Sequence, residues 1–160
     1  MEARKIRPRI YWVGAVDWDR RLFDGFIPIP DGTSYNSYLV QGSEKTVLID
    51  TVDPTMAEVL IARLDNLDIK AIDYVVINHA EQDHTGTLPR VLEKFPQAKV
   101  FCTPKCKVML RDLLLIPEEK IVTVVDNETI SLGDMTLEFI YAPWVHWPET
   151  MFTYLREEKI

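Results

Sequence analysis

The sequence predicts an α/β domain with layered, mixed sheets. Three observations carry this. Short apolar runs rich in β-branched residues alternate with stretches of helical periodicity through the middle of the chain. A proline stands in the first turn of each such stretch, where its missing N–H costs no hydrogen bond. The last third then changes to two-residue alternation, as antiparallel strands with one buried face require.

The elements follow in order. "RIYWVG" and "YNSYLV" read as strands, and "KTVLIDT" as an apolar run of the kind buried inside a sheet. "DPTMAEVLIARLDNL" then predicts a helix. Asp53 is its N-cap, Pro54 its first residue, and Val59, Leu60, Leu64 and Leu67 form one face. "IDYVVIN" is a second buried strand, followed by a helix whose core face is Leu88, Val91, Leu92 and Phe95 and whose first turn holds Pro89. "AKVFCT" is a third strand, and Thr103 and Pro104 open the helix "KCKVMLRDLLL". In "MTLEFIYA", Met135, Leu137, Phe139 and Tyr141 face one side, with Thr136, Glu138 and Ile140 on the other. "TMFTYLRE" is a further strand. Its tail "REEK" reads as a turn, so the strand is expected to be the first half of a hairpin at an uncovered sheet edge.

Composition narrows the function. A chain of 160 residues with 47% hydrophobic and 27% charged residues suits one soluble domain with a core of its own. The net charge of −7 argues against a nucleic-acid partner, which needs a basic face. The basic patches "RKIRPR" and "DRRLFD" are short and read as solvated surface. No apolar run is long enough to span a bilayer, and no h-region follows the basic N-terminus. The only two cysteines, Cys102 and Cys106, suggest packing rather than a disulfide framework, and a reducing, cytoplasmic location.

The chemistry gathers in "NHAEQDHTG", which places two of the chain's three histidines and two acids directly after a buried strand. His79, Glu81, Asp83 and His84 are all metal-ligand types. A single histidine in such a loop is ordinarily a polar surface residue, and Asp83 or Thr85 could serve as a plain helix N-cap. Four ligand types within six residues favour a metal site instead. The third histidine, His146 in "APWVHWPET", also follows a strand, and Trp144 and Trp147 could wall it off from water. Three imidazoles and two carboxylates exceed one tetrahedral zinc. The set fits two metals in one pocket, and its oxygen content favours iron over zinc. The two cysteines are too few for an iron–sulfur cluster. Asp50 in "LID" either bonds a ligand histidine or caps the next turn.

"HAEQDH" resembles the H-x-[HE]-x-D-H signature of the metallo-β-lactamase-like superfamily, and Glu81 matches the flavodiiron (A-type flavoprotein) branch, where zinc hydrolases have histidine. "VDWDRRLFDGFIPIPDGTSYNSYLV", "VLIDTVDP", "HTGTLP" and "LGDMTLEFIYAPWVHWPETMF" are similar to that branch, so the likeness covers essentially the whole chain. It implies the first part of a metallo-β-lactamase-like αββα sandwich with mixed sheets, residues 1–160 being an incomplete diiron domain. His79, Glu81 and His146 would bind one iron and Asp83 the second, with His84 a ligand in some members and displaced by water in others. The family's bridging aspartate and last histidine have no counterpart here: no histidine follows His146 and no aspartate follows Asp134. Its flavodoxin-like domain with FMN is absent too. The implied activity of the complete protein is reduction of O2 to water or of NO to N2O. The implied partners are an electron donor such as rubredoxin or a reductase, and a second copy in a head-to-tail homodimer. The 160 residues alone are expected to hold iron weakly and to show little activity. Trp144, Trp147 and Tyr35 or Tyr38 are candidate wall residues, with plain core packing the equal alternative for each. A zinc hydrolase of the same fold, a diiron oxygen sensor and a degenerate assembly domain are the competing readings; Glu81 opposes the first and the intact ligand set the last.

Overall fold

In the computed structural model, which describes residues 1–160, a mixed seven-stranded sheet is the centre of the molecule. Its strands are β1 (Arg4–Arg7), β2 (Ile10–Trp12), and then, beyond an excursion, β7 (Tyr38–Gln41), β8 (Thr46–Ile49), β9 (Tyr74–Val76), β10 (Lys99–Cys102) and β11 (Ile121–Thr123). They lie in that order. The excursion carries two small ribbons, one pairing β3 (Ala15–Asp17) with β6 (Thr33–Tyr35), the other β4 (Leu22–Phe23) with β5 (Ile27–Pro28). The first four strands of the large sheet pair antiparallel, whereas β8 to β11 run parallel. Parallel neighbours need crossovers. These are α1 (Ala57–Asn66), α3 (Leu88–Lys94) and α4 (Pro104–Leu114).

Both faces of this sheet are dry, and alternation within each strand explains why. Leu39, Leu48 and Val75 point to the helices, where Leu60, Leu64, Leu88, Val91, Phe95 and Leu110 meet them. Their neighbours Val40, Val47 and Val76 point the other way, into a second core. That core is closed by a three-stranded antiparallel sheet of β12 (Thr129–Ser131), β13 (Thr136–Tyr141) and β14 (Met151–Leu155). Leu137 and Phe139 of β13 are fully buried there, as the alternation predicts. The layers are therefore helices, large sheet, small sheet: three of the four layers of an αββα sandwich.

The predicted elements are present with shifted edges. Asp53 caps as expected, its carboxylate accepting from Thr55 N at 2.9 Å, but the turn it opens, Pro54–Met56, is a 3-10 turn before the α-helix. Thr103 Oγ1 accepts from Cys106 N at 3.2 Å and starts α4. "YNSYLV" is not one strand. Asn36 accepts a bond from Trp12 Nε1 and the Ser37 hydroxyl donates to Asp50 O at 2.8 Å, so side chains take the place of sheet pairing between β6 and β7. After β14 the chain turns at Arg156–Lys159, and Leu155 N–H donates to Ile160 O at 2.7 Å. Cys102 and Cys106 are free and buried in the helix-side core.

Candidate metal centre

Parallel strands end together at one rim of the large sheet, and side chains on the loops beyond them converge. The loop after β9 carries His79 and Glu81 and runs into a single helical turn, α2 (Gln82–Thr85), which carries Asp83 and His84. Gly86 closes that turn against the start of the preceding helical segment. A Cβ there would lie 2.4 Å from Pro54 Cδ and 2.7 Å from Gln82 O, so only glycine permits the approach. The Thr85 hydroxyl donates to Ala80 O and Glu81 O, each at 3.0 Å, and Thr51 N–H and hydroxyl both reach His84 O at 2.7 Å. Thr85 thus braces the loop from within rather than capping a helix.

The structure brings His79, Glu81 and His146 together, with one ligand atom of each lying within 4.8 Å of the others. Glu81 Oε2 is 3.0 Å from His79 Nε2 and 3.5 Å from His146 Nε2. Atoms bound to one ion at ~2.1 Å are roughly 3.0–3.4 Å apart when they lie between right-angle and tetrahedral positions. The Glu81–His79 pair has that spacing, and the Glu81–His146 pair lies just outside it. His146 arrives from the loop between β13 and β14 and is 56% exposed, whereas His79 is 3% exposed. The His79 and His146 rings are 4.5 Å apart, and Trp147 meets the His79 ring edge-on at 4.9 Å.

Asp83 and His84 form a second pair beside the triad. His84 Nε2 is 3.8 Å from Asp83 Oδ2, and its ring centroid is 5.1 Å from that of His79. Asp50 meets a histidine of the cluster: its Oδ2 lies 3.1 Å from His84 Nδ1, and its Oδ1 accepts from Asn78 N at 2.7 Å. The residue holds a left-handed backbone, φ 54°, at the end of β8, a strained conformation of the kind that collects at functional sites. Burial disfavours the imidazolium of His84, but the hydrogen bond to Asp50 and the charges of Asp50, Asp83 and Glu81 outweigh it and raise its pKa. Burial, with a smaller contribution from Glu81, raises the pKa of Asp83 against the opposing pull of His84.

Two observations show that this donor set fits metal cations. Asp83 Oδ1 is buried without a hydrogen-bond partner, and an orphaned carboxylate oxygen inside a protein is costly unless a positive charge meets it. His79 also has a carboxylate at each nitrogen, Glu149 Oε1 at 2.7 Å from Nδ1 and Glu81 at Nε2. A neutral imidazole has one N–H for the two of them, so the remaining pair of acceptors faces each other across a gap that suits a cation.

Sequence reasoning missed two residues at this site. Glu149, 1% exposed, takes His79 Nδ1 and Ala80 N; its position three residues after His146 was the available signal. Asn78 ties the sheets together, since its carbonyl accepts from Met151 N at 3.0 Å and its side chain from the Thr153 hydroxyl at 2.7 Å. Of the four wall candidates, Trp147 touches the cluster and Tyr35 lines the adjoining cleft. Trp144 is 74% exposed, with Lys105 near its ring, and Tyr38 lies on β7 away from the cleft. That cleft, ≈ 200 Å³, is lined by Arg20, Tyr35, Asp53, Glu81 and Asp83 among others. Burial first, then the charges of Asp53 and Asp17, push the Tyr35 phenol up to about 12.

A mixed sheet faced by a second sheet, with histidines and carboxylates collected at the strand ends, defines the metallo-β-lactamase class of fold. The chain belongs to the family described as ODP family beta lactamase, whose profile matches residues 33–160. It is 37% identical to a coenzyme F420H(2) oxidase of Methanothermobacter marburgensis over 99% of this chain and 40% of that protein. It is 42% identical to a nitric oxide reductase of Moorella thermoacetica over 94% of this chain and 38% of that one. Among solved structures, the rubredoxin oxygen:oxidoreductase of Desulfovibrio gigas superposes with a TM-score of 0.92 at 36% identity, covering 98% of this chain and 39% of that one. The chain thus spans about two fifths of the length of these relatives, as their β-lactamase-like part.

Proposed function

We propose that the chain is the first part of the diiron domain of a flavodiiron protein, and that the complete protein reduces O2 to water, NO to N2O, or both. One observation carries this reading: Glu81 stands where it brings a carboxylate oxygen between two imidazole nitrogens. An oxygen ligand there favours iron over the zinc of hydrolases on this fold. His79, Glu81 and His146 would hold one iron. Asp83 would hold the second, with His84 beside it, its Nδ1 fixed by Asp50 and its Nε2 left for the site. The chemistry that bound iron would supply at this site is electron transfer to O2 or NO.

The chain's own residues supply the setting. Asp50 and Glu149 orient two imidazoles, Trp147 shields His79, and the cleft beside Glu81 and Asp83 admits a small molecule. The names of the relatives, an F420H(2) oxidase, a nitric oxide reductase and a rubredoxin oxygen:oxidoreductase, support an O2 or NO substrate and an electron donor such as rubredoxin or a reductase. FMN belongs to a flavodoxin-like domain outside these residues, and a head-to-tail homodimer would bring one subunit's flavin to the other's iron. No helix is long and apolar enough to cross a membrane. Two free cysteines support work in the reducing cytoplasm.

The test is metal analysis of the full-length protein together with its consumption of O2 and of NO, each with reduced rubredoxin as donor. Two irons per chain and turnover of at least one gas are expected. Zinc alone, with neither gas consumed, refutes the reading in favour of a hydrolase.

A further inference from the structure

We infer that Glu149 is a positioning residue that fixes which nitrogen of His79 faces the metal. The inference rests on the diiron reading above and extends it to a residue outside the ligand set. The Glu149 carboxylate is fully enclosed, and its Oε1 lies 2.7 Å from His79 Nδ1 and accepts from Ala80 N at 3.1 Å. Holding the proton on Nδ1 leaves the lone pair on Nε2, the atom that faces Glu81. A histidine ligand held in this way by a carboxylate has a set ring orientation and a more basic donor atom. The other oxygen, Oε2, is buried without a partner. Both bonds of the carboxylate are therefore made by Oε1, and His79 is its side-chain partner.

Glu149 also joins the two loops that carry the ligands. It lies three residues beyond His146, and its backbone carbonyl accepts from the Thr103 hydroxyl at 3.0 Å. Thr103 is itself the N-cap of α4. One residue therefore pins the His146 loop to a helix start through its backbone and grips the His79 loop through its side chain. Shape alone would not require an acid here, because an apolar side chain of similar size would fill the same space.

The test compares wild type, Glu149→Gln and Glu149→Leu in the full-length protein. Ferrous affinity is read by chelator competition, and the His79 ring nitrogens by nitrogen-15 NMR of zinc-loaded and metal-free protein. In Glu149→Leu, ferrous affinity is expected to fall roughly 10–100-fold, and the protected Nδ1–H signal of His79 to be lost. In Glu149→Gln the amide oxygen still accepts, so the Nδ1–H signal persists while affinity falls about tenfold, at the mild end of that range. Wild-type affinity in both variants, or an unchanged Nδ1–H signal in Glu149→Leu, overturns the inference. If Glu149→Leu does not fold by circular dichroism, the near-isosteric Gln variant decides alone, and wild-type affinity there overturns it. Failure of the diiron reading looks different: wild type itself then binds no iron, while the metal-free NMR still reports on the His79–Glu149 bond.

Discussion

Replacing Asp50 by Asn tests the second imidazole. Asn tolerates the left-handed backbone that Asp50 adopts at φ 54°, so the exchange adds little strain. Its Oδ1 still accepts from Asn78 N, but an NH2 group now meets His84 Nδ1, where a carboxylate oxygen stood at 3.1 Å. The His84 proton is thereby driven to Nε2, and its pKa falls, because the two largest influences raising it are both Asp50's while burial still lowers it. The sign of the stability effect follows. The folded pKa of His84 lies above its ordinary 6.5, so its bond to Asp50 contributes in full below that value and fades as pH rises through the folded pKa. A hydrogen bond to a charged group contributes about 1.5–3 kcal/mol. The lower end applies here, since the His84 side chain is still 32% exposed. Urea unfolding of metal-free protein should therefore show Asp50→Asn less stable by ~1.5 kcal/mol at pH 5.5. At pH 9, where His84 is neutral and the Asn amide also bonds its Nδ1, the deficit should be smaller than at pH 5.5. An equal deficit at both pH values, or an unmoved His84 titration by NMR, refutes the reasoning.

Glu81→His replaces the shared oxygen donor with nitrogen, and metal analysis of purified protein should show the content moving from iron toward zinc; undiminished iron would remove the argument from Glu81. Tyr35 should ionise near pH 12, seen as the part of the ultraviolet phenolate titration that disappears in Tyr35→Phe; a wild-type minus variant difference centred on pH 10 counts against the buried, acid-flanked setting. Phe139→Ala empties a fully buried position between the two sheets, where Phe101 stacks at 6.2 Å, and should cost about 3–5 kcal/mol in urea unfolding. A loss under 1 kcal/mol would mean that the small sheet is not packed as described.

The local signals in the sequence were strong where one physical cause acts alone. Two-residue alternation placed Leu137 and Phe139 in the core, and Asp53 and Thr103 announced their caps, because each effect is settled within a few residues. His79, Glu81 and His146 were legible for another reason. Ligand types are rare in such density, and buried strands directly before them implied a shared rim. The break in "YNSYLV" was not legible, since it comes from Ser37 bonding a carbonyl thirteen residues on and Asn36 meeting Trp12. Trp144 misled for a similar reason. Its composition suits a wall, but a positive φ of 66° places it in a turn pointing to solvent, and only the fold reveals that.

Glu149 and Asn78 stayed hidden because their roles exist only between distant segments. Glu149 meets His79 across seventy positions, and Asn78 meets Thr153 across seventy-five. Both join the large sheet's rim to the small sheet, so the side chains of one cluster come from two layers. That has a mechanical consequence. His146 rides on the loop between β13 and β14, and the bonds that set this loop against the His79 loop run through Glu149 and Asn78. Packing of the second core and geometry of the triad are therefore coupled. A cavity made at Phe139 should loosen the position of His146 as well as lower stability, and a metal bound by the triad should in turn strengthen the contact between the sheets. Urea unfolding with and without saturating ferrous ion measures that coupling: the metal should stabilise wild type more than Phe139→Ala, and equal stabilisation of both would show the two layers to be independent.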